Sequence, residues 1–196
     1  MIDWPVAAGN VFIGTSLAAL AAAPVYGAAT RATGTSTRAI AVLAGLLAAL
    51  TALLFFSWRA MPGGTTSAIS GAVALSASVA VLIQCGRLIR AAVPDELGAA
   101  MLGLLAAIAL TAGPFAAGPL LNDLSPAQST WLLAANPLVT TTAAAGIDLL
   151  HLDVVYQLSP LAHRGVALPA WTASTAAYAV VGLAAYGASR FVPWSR

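Results

Sequence analysis

The side chains best suited to metal chemistry in this sequence are two acids and a histidine in its C-terminal third. Asp148, His151 and Asp153 stand at spacing i, i+3, i+5, which puts them only loosely on one face of a helix. Carboxylate and imidazole groups can collect a divalent cation, but three ligands in this pattern are a weak metal signal. Solvated side chains at a membrane interface are the simpler interpretation, so we expect no metal site.

A second group with chemical potential is the Asn136-Pro137 pair. Asn136 is a good helix N-cap, and Pro137 fits the first position of a helix. The free N–H groups of a helix N-terminus attract anions. Asn136, Pro137 and the nearby Thr140 are therefore candidates for contact with an anionic group of a substrate. A purely structural cap is the alternative, and it is the more common use of such a pair.

Several kinds of chemistry have no motif in the sequence. There is no GxxxxGK phosphate loop and no Ser-His-Asp or Cys-His set in motif context, so we expect no enzyme. Both histidines, His151 and His163, fall outside the apolar windows, which argues against axial haem ligation, and we expect no cofactor. The single Cys85 excludes an internal disulfide. No basic run exists, so nucleic acid is not an expected partner.

The composition indicates a membrane protein. Of 196 residues, 60% are hydrophobic and 7% are charged, whereas a soluble domain has about 25% charged residues. Continuous apolar runs favour helices over strands, and each is long enough to cross a hydrocarbon core of ~30 Å. "MIDWP" contains an acid and no base, so the first run is not a signal peptide. The sequence predicts one all-α transmembrane domain over residues 1–196, with spans at 5–29, 39–58, 67–86, 97–121 and 169–189.

Between the last two windows, residues 126–150 predict two short helices. Ser125, Pro126 and Gln128 form a capping-box pattern, and Asn136-Pro137 repeats the start signal. The predicted helices are Pro126–Ala135 and Pro137–Leu150. The first would be ~15 Å long, about half the depth of the hydrocarbon core. The pattern favours a re-entrant hairpin, and one kinked spanning helix is the alternative.

Arginine distribution favours a hairpin that returns to its starting side. With the N-terminus outside, a returning hairpin puts six arginines inside and two outside, whereas a crossing one gives five and three. For the returning case the inner set is Arg31, Arg38, Arg87, Arg90, Arg190 and Arg196, and the outer set is Arg59 and Arg164. The prediction is therefore a polytopic bundle of about five spanning helices in the cell (inner) membrane, with an external hairpin and a cytoplasmic C-terminus.

The C-terminal half, about residues 93–190, resembles the permease subunits of type-2 ATP-binding-cassette exporters. The residues that carry the resemblance are "GPFAAGPL", "LLAANPLVTTTAAAGIDLL" and "LPAWTAS". In that family an external re-entrant hairpin, often with Asn-Pro near its tip, separates the last two spans. The family usually has six spans with both termini cytoplasmic and docks its ATPase through a cytoplasmic coupling helix. Here five spans are predicted, and the comparable link "RATGTSTR" is short.

Two functions remain open at this stage. The resemblance implies a permease-like subunit that exports a lipid-like or hydrophobic substrate with a separate cytoplasmic ATPase. The alternative is a non-catalytic accessory subunit that scaffolds a larger respiratory, photosynthetic or transport complex. Either way, the expected partners are membrane lipids and other integral membrane subunits. Residues on the predicted cytoplasmic loops are candidates for partner docking: Arg31, Arg38, Arg87, Arg90, Asp95 and Glu96.

Overall fold

The computed structural model describes residues 4–30, 64–116, 123–150, 152, 155, 168 and 170–191, and all regular structure in that part of the chain is helical. The all-α prediction is confirmed for these residues. The described helices are α1 (Trp4–Ala29), α2 (Gly64–Ala92), α3 (Glu96–Thr111), α4 (Gly113–Ala116), α5 (Pro126–Ala134), α6 (Pro137–Ala144) and α7 (Trp171–Phe191). The predicted span at 39–58 lies outside the described residues.

Among the described helices, two are long and apolar enough to cross a bilayer. They are α1, over Gly9–Ala29, and α2, over Gly64–Ala92; α3 is apolar but shorter. The predicted fourth span continued to Leu121, whereas α3 ends at Thr111. The reason is Pro114, which has no N–H for the helical ladder and whose ring conflicts with the carbonyl four residues earlier. A four-residue helix, α4, follows the break.

Helices α1 and α2 run side by side in the same direction. Near their beginnings Phe12 lies against Gly71. Near their ends the Nε of Arg87 donates to the Oγ1 of Thr30 at 3.5 Å. Each contact pairs residues at similar distances from the two helix starts, which only a parallel pair allows. Thr30 and Gly64 therefore lie at opposite ends of the pair.

The closest approach of the helices lies around Pro24 of α1. A Cβ atom on Gly27 would collide with the carbonyl of Ile83, and one on Gly86 would collide with the carbonyl of Pro24. Helix α3 reaches the same point, where a Cβ on Gly103 would lie 3.1 Å from the Cβ of Pro24. Glycine at these positions lets three backbones meet at a distance that side chains would prevent.

Helix α6 lies in the middle of the bundle. It packs on α1, α2, α3 and α7, and its side chains from Pro137 to Thr142 are all buried. Leu138 and Val139 of α6 join Leu20 of α1 and Leu75 of α2 in one apolar core. The short helix with the Asn-Pro start is therefore the central element of the described fold, although it is far shorter than α1 or α2.

Candidate functional site at the Asn-Pro hairpin

The hairpin formed by α5 and α6 begins with the capping box that the sequence predicts. The hydroxyl of Ser125 accepts from the backbone N–H of Gln128 at 3.3 Å, and the Oε1 of Gln128 accepts from the N–H of Ser125 at 2.8 Å. Pro126 occupies the first turn, where its missing N–H costs nothing. These exposed residues fix the point at which the chain enters the bundle.

The tip of the hairpin is Asn136, a fully buried side chain that makes three hydrogen bonds. Its Oδ1 accepts from the N–H groups of Leu138, at 2.9 Å, and Val139, at 3.3 Å. Its Nδ2 donates to the carbonyl of Thr111 at 2.8 Å. That carbonyl lies in the last turn of α3, where no helical donor is left. One side-chain amide therefore binds backbone N–H groups at the start of α6 and a backbone carbonyl at the end of α3.

The predicted anion-contact residues Asn136, Pro137 and Thr140 lie together at this tip, but their polar groups bind within the protein. Pro137 has no N–H, and the next two N–H groups bind Asn136. The N–H of Thr140 donates to the carbonyl of Asn136 at 3.1 Å, and its hydroxyl donates to the carbonyl of Ala134. The first turn of α6 has no donor left for an anion, so the geometry favours the structural cap.

The two threonines that follow are also satisfied locally. The hydroxyl of Thr141 donates to the carbonyl of Pro137 at 2.7 Å, and that of Thr142 donates to the carbonyl of Leu138 at 2.9 Å. Such i to i−4 bonds let a hydroxyl sit in an apolar environment without an external partner. Sequence analysis did not single out these two residues, although three consecutive threonines in an apolar run were a visible signal.

Helix α7 also holds the tip. The hydroxyl of Tyr178 donates to the carbonyl of Ala135 at 2.6 Å. Ala135 is the C-cap of α5, so this bond satisfies another helix-end carbonyl. Neighbouring residues thus tie the hairpin to both flanking helices: Asn136 to α3, and Ala135 to α7. Sequence analysis missed Tyr178 and Thr111, because each bond joins residues that are far apart along the chain.

Two contacts give the direction of α7. Thr111 lies about 23 Å along α3 from the α2–α3 turn, and Val81 lies about 17 Å along α2 from the same turn. Tyr178 meets the hairpin at the level of Thr111, whereas Gly182 lies against Val81. From Tyr178 to Gly182 the helix therefore approaches that turn. Helices α1, α2 and α7 run in one direction, and α3 runs in the other.

The second hairpin helix ends earlier than predicted. Gly146 adopts a left-handed φ of 72°. Its N–H donates to the carbonyl of Ala143, and the N–H of Ile147 donates to that of Thr142, which is the Schellman arrangement of a helix C-terminus. Helix α6 consequently stops at Ala144 rather than at Leu150.

This early end also bears on the weak metal candidates. Asp148 is exposed and lies outside a helix, so the helical face considered for it does not exist at that position. His151 and Asp153 lie outside the described residues. Across the described segments, no three His, Cys, Asp or Glu side chains cluster closely enough to hold a metal ion.

A cavity of about 340 Å³ lies beside the end of α6. Its described walls are mainly aliphatic, including Val139, Ile147 and Leu168, and Asp148 is the charged group among them. The hydroxyl of Thr142, which also lines it, is already bonded to its own helix. Walls of this kind suit a hydrocarbon group better than a polar solute.

The candidate docking residues that the structure describes divide into two sets. The Oδ2 of Asp95 caps α3 by accepting from the N–H of Gly98, and Glu96 is exposed in the first turn. Arg87 and Arg90 are instead half-buried and bonded to the protein. Arg31 and Arg38 lie outside the described residues.

No protein-family model matches the chain, and neither a curated protein nor a solved structure matches it at a significant level.

Proposed function

We propose that this chain is a multi-pass membrane subunit of the permease type, which works with a separate ATPase chain to move a lipid-like or hydrophobic substrate. The observation that carries the proposal is the hairpin between α3 and α7, whose tip is bonded to both helices. In the exporter permeases that the C-terminal half resembles, a re-entrant hairpin, often with an Asn-Pro near its tip, occupies this position. Backbone of this kind is tolerated at membrane depth only when it is buried in protein or lines a water-filled cavity, and Asn136 is fully buried.

The exposed surface of the long helices supports a membrane location. Only 39% of the apolar window of α1 and 50% of that of α2 is buried, whereas the core helix of a soluble protein is mostly buried. Large apolar side chains on both helices are exposed: Val11 of α1 is 55% exposed and Ile69 of α2 is 54% exposed. Lipid is the environment in which such a surface is stable.

The helix directions support the five-span topology. Since α1 and α2 are parallel, Thr30 and Gly64 lie at opposite ends of the pair, which is consistent with the proposed span at 39–58. Since α7 runs like α2 and against α3, the hairpin between α3 and α7 returns to the side from which it entered. A hairpin that crossed the membrane would reverse α7.

The substrate class follows from what the site offers. The cavity beside α6 has mainly aliphatic walls, and the described helices carry ionisable acids and bases only near their ends. Ion-coupled carriers place such groups at depth. Transport of a hydrophobic molecule, with energy from a separate ATPase, is the reaction class that fits. Among the described residues, the proposed contact surface for that ATPase is the exposed α2–α3 turn with Glu96, which lies on the cytoplasmic side in this topology.

A second candidate function is a scaffold subunit of a larger membrane complex. The observation that favours it is that the polar groups at the hairpin tip form hydrogen bonds within the protein. Asn136 and Thr140 therefore offer no free donor to a substrate. In this case the hairpin only braces α3 against α7, and the exposed apolar faces contact other subunits rather than lipid.

Mild detergent extraction followed by native mass spectrometry separates the two functions. We expect an ATPase chain in fixed ratio to this subunit, and a Glu96→Arg variant should release it while an Asp123→Arg variant should not. Co-purification with a large assembly that lacks an ATPase would instead make the chain a scaffold subunit.

Impermeant thiol labelling tests the topology in a Cys85→Ala background. A cysteine at Asp123 should be labelled from outside the cell, and one at Arg190 should be labelled only after permeabilisation. The opposite pattern would refute the proposed orientation.

A further inference from the structure

Two half-buried arginines at the end of α2 use few of their hydrogen-bond donors within the part of the chain that the structure describes. Arg87 and Arg90 are three residues apart, so their side chains share one face of the helix. The Nε of Arg87 donates to the Oγ1 of Thr30, and the Nη1 of Arg90 donates to the carbonyl of Val93 at 3.0 Å. A guanidinium group has five N–H donors. Among the described residues, each side chain therefore donates through one nitrogen and has further N–H groups for another ligand.

The two charges have no carboxylate partner within the described part of the chain. Their polar contacts there are to a hydroxyl and a backbone carbonyl. The nearest acid along the chain, Asp95, is engaged as the cap of α3. Cations that lose part of their hydration need a counter-charge. The pair therefore suits an anion with several acceptor oxygens, such as a phosphate group, which arginine binds through paired N–H groups.

The position of the pair along α2 indicates the source of the phosphate. The apolar window of this helix ends at Gly86, and Arg87 is the first charged residue after it. Arg87 and Arg90 lie about 35 and 39 Å from Gly64 along the helix axis, beyond a hydrocarbon core of about 30 Å. At this depth the abundant phosphate groups belong to lipid head groups.

We propose that Arg87 and Arg90 bind the phosphate group of an anionic phospholipid where the ends of α1 and α2 meet. The inference rests on the membrane location proposed above and does not depend on the ATPase. The bound lipid supplies the counter-charge that the described residues do not. It also covers the protein one turn beyond the close crossing of Gly27 and Gly86, where α1 and α2 have no side-chain layer between them.

The test uses the full-length protein in lipid nanodiscs that contain phosphatidylglycerol and phosphatidylcholine, with native mass spectrometry of the lipids retained after release. We expect clear retention of phosphatidylglycerol over phosphatidylcholine. An Arg87→Gln/Arg90→Gln variant should lose about 100-fold of this preference, since a hydrogen-bonded contact between charged groups contributes about tenfold or more for each arginine. An Arg190→Gln/Arg196→Gln variant changes net charge equally at other positions in the sequence and should retain the preference.

An Arg87→Lys/Arg90→Lys variant is the control for misfolding of the Gln variant. It preserves the charge but not the paired donors, so we expect it to fold and to keep only part of the preference. Equal losses in the two Gln variants would overturn the proposal, because net charge alone would then explain binding. Displacement of the lipid by millimolar inorganic phosphate would also overturn it, since the ligand would be soluble.

The design separates this inference from the proposed function. A protein that does not enter nanodiscs at all would refute the membrane location. A protein that inserts and assembles normally, but retains both lipids equally, would refute the lipid site alone.

Discussion

Truncation of Asn136 to alanine removes three hydrogen bonds from the centre of the bundle. Loss of an N-cap costs about 1 kcal/mol. The carbonyl of Thr111 is also left without its donor, and an orphaned buried acceptor costs about 1–3 kcal/mol. Asn136 is fully buried, so water cannot replace either interaction easily. We expect Asn136→Ala to lower the free energy of unfolding by about 2–4 kcal/mol.

The two roles of Asn136 can be separated by a shorter polar side chain. Serine at position 136 can still cap α6 but cannot reach Thr111, so Asn136→Ser should lose only the bond to α3. We expect it to be intermediate between the wild type and Asn136→Ala. Asn10 is exposed on α1, and Asn10→Ala makes the same chemical change with an expected effect within about 0.5 kcal/mol.

The assay is unfolding in detergent micelles by titration with dodecyl sulfate, followed by tryptophan fluorescence. Thermal unfolding gives a second measurement, in which about 2–4 kcal/mol corresponds to a decrease in Tm of about 5–15 °C. Equal stability of Asn136→Ala and Asn10→Ala would refute the reasoning about the tip. Equal losses in Asn136→Ser and Asn136→Ala would show that the cap contributes nothing and that only the bond to Thr111 matters.

Three further changes test other contacts with the same unfolding assay. Tyr178→Phe deletes only the hydroxyl that binds the carbonyl of Ala135, and it should cost about 1 kcal/mol; an unchanged midpoint would mean that α7 does not hold the tip. Gly86→Ala puts a methyl group against the carbonyl of Pro24 and should cost about 1–3 kcal/mol. Gly9→Ala is the control and should not destabilise the protein, because no atom lies within 4 Å of its new Cβ. Similar stabilities of the two variants would argue against the close crossing. Gly146→Ala forces a side chain into a left-handed conformation and should cost about 1–2 kcal/mol, and a neutral result would contradict the helix end described for α6.

The starts of the short helices could be read from the sequence because they depend on neighbouring residues. The capping box at Ser125 and Gln128 and the cap at Asn136 each use bonds across only two or three residues. Local stereochemistry is then enough for prediction. The early end of α6 is equally local, since Gly146 is a standard stop signal, whereas the apolar pattern that continues past Gly146 predicts a longer helix.

A local signal also sets the end of α3. The apolar run continues through "GPFAAGPL" to Leu121, and hydrophobicity alone predicted an unbroken span. The Gly113-Pro114 pair carried the opposite signal, because proline disrupts a helix whatever its surroundings. Apolar composition indicates the environment of a segment, whereas glycine and proline decide where its helix stops.

The long-range contacts of the site could not be predicted in this way. The partner of the Asn136 amide is a backbone carbonyl 25 residues away, and backbone carbonyls are identical in every sequence. The hydroxyl of Tyr178 reaches a residue 43 positions away, and nothing in an apolar window indicates such a partner. Only the packing of α6 against α1, α2, α3 and α7 brings these groups within bonding distance.

The hydrogen bonds of Ala135 and Asn136 connect the hairpin tip to α7 and α3, respectively. Two adjacent residues are bonded to different helices, so a displacement of α3 is transmitted to α7 across a single peptide unit. A motion that separates these helices has to break at least one of the two bonds. A motion that keeps both bonds therefore has to move the parts of α3 and α7 that contact the tip together with the hairpin.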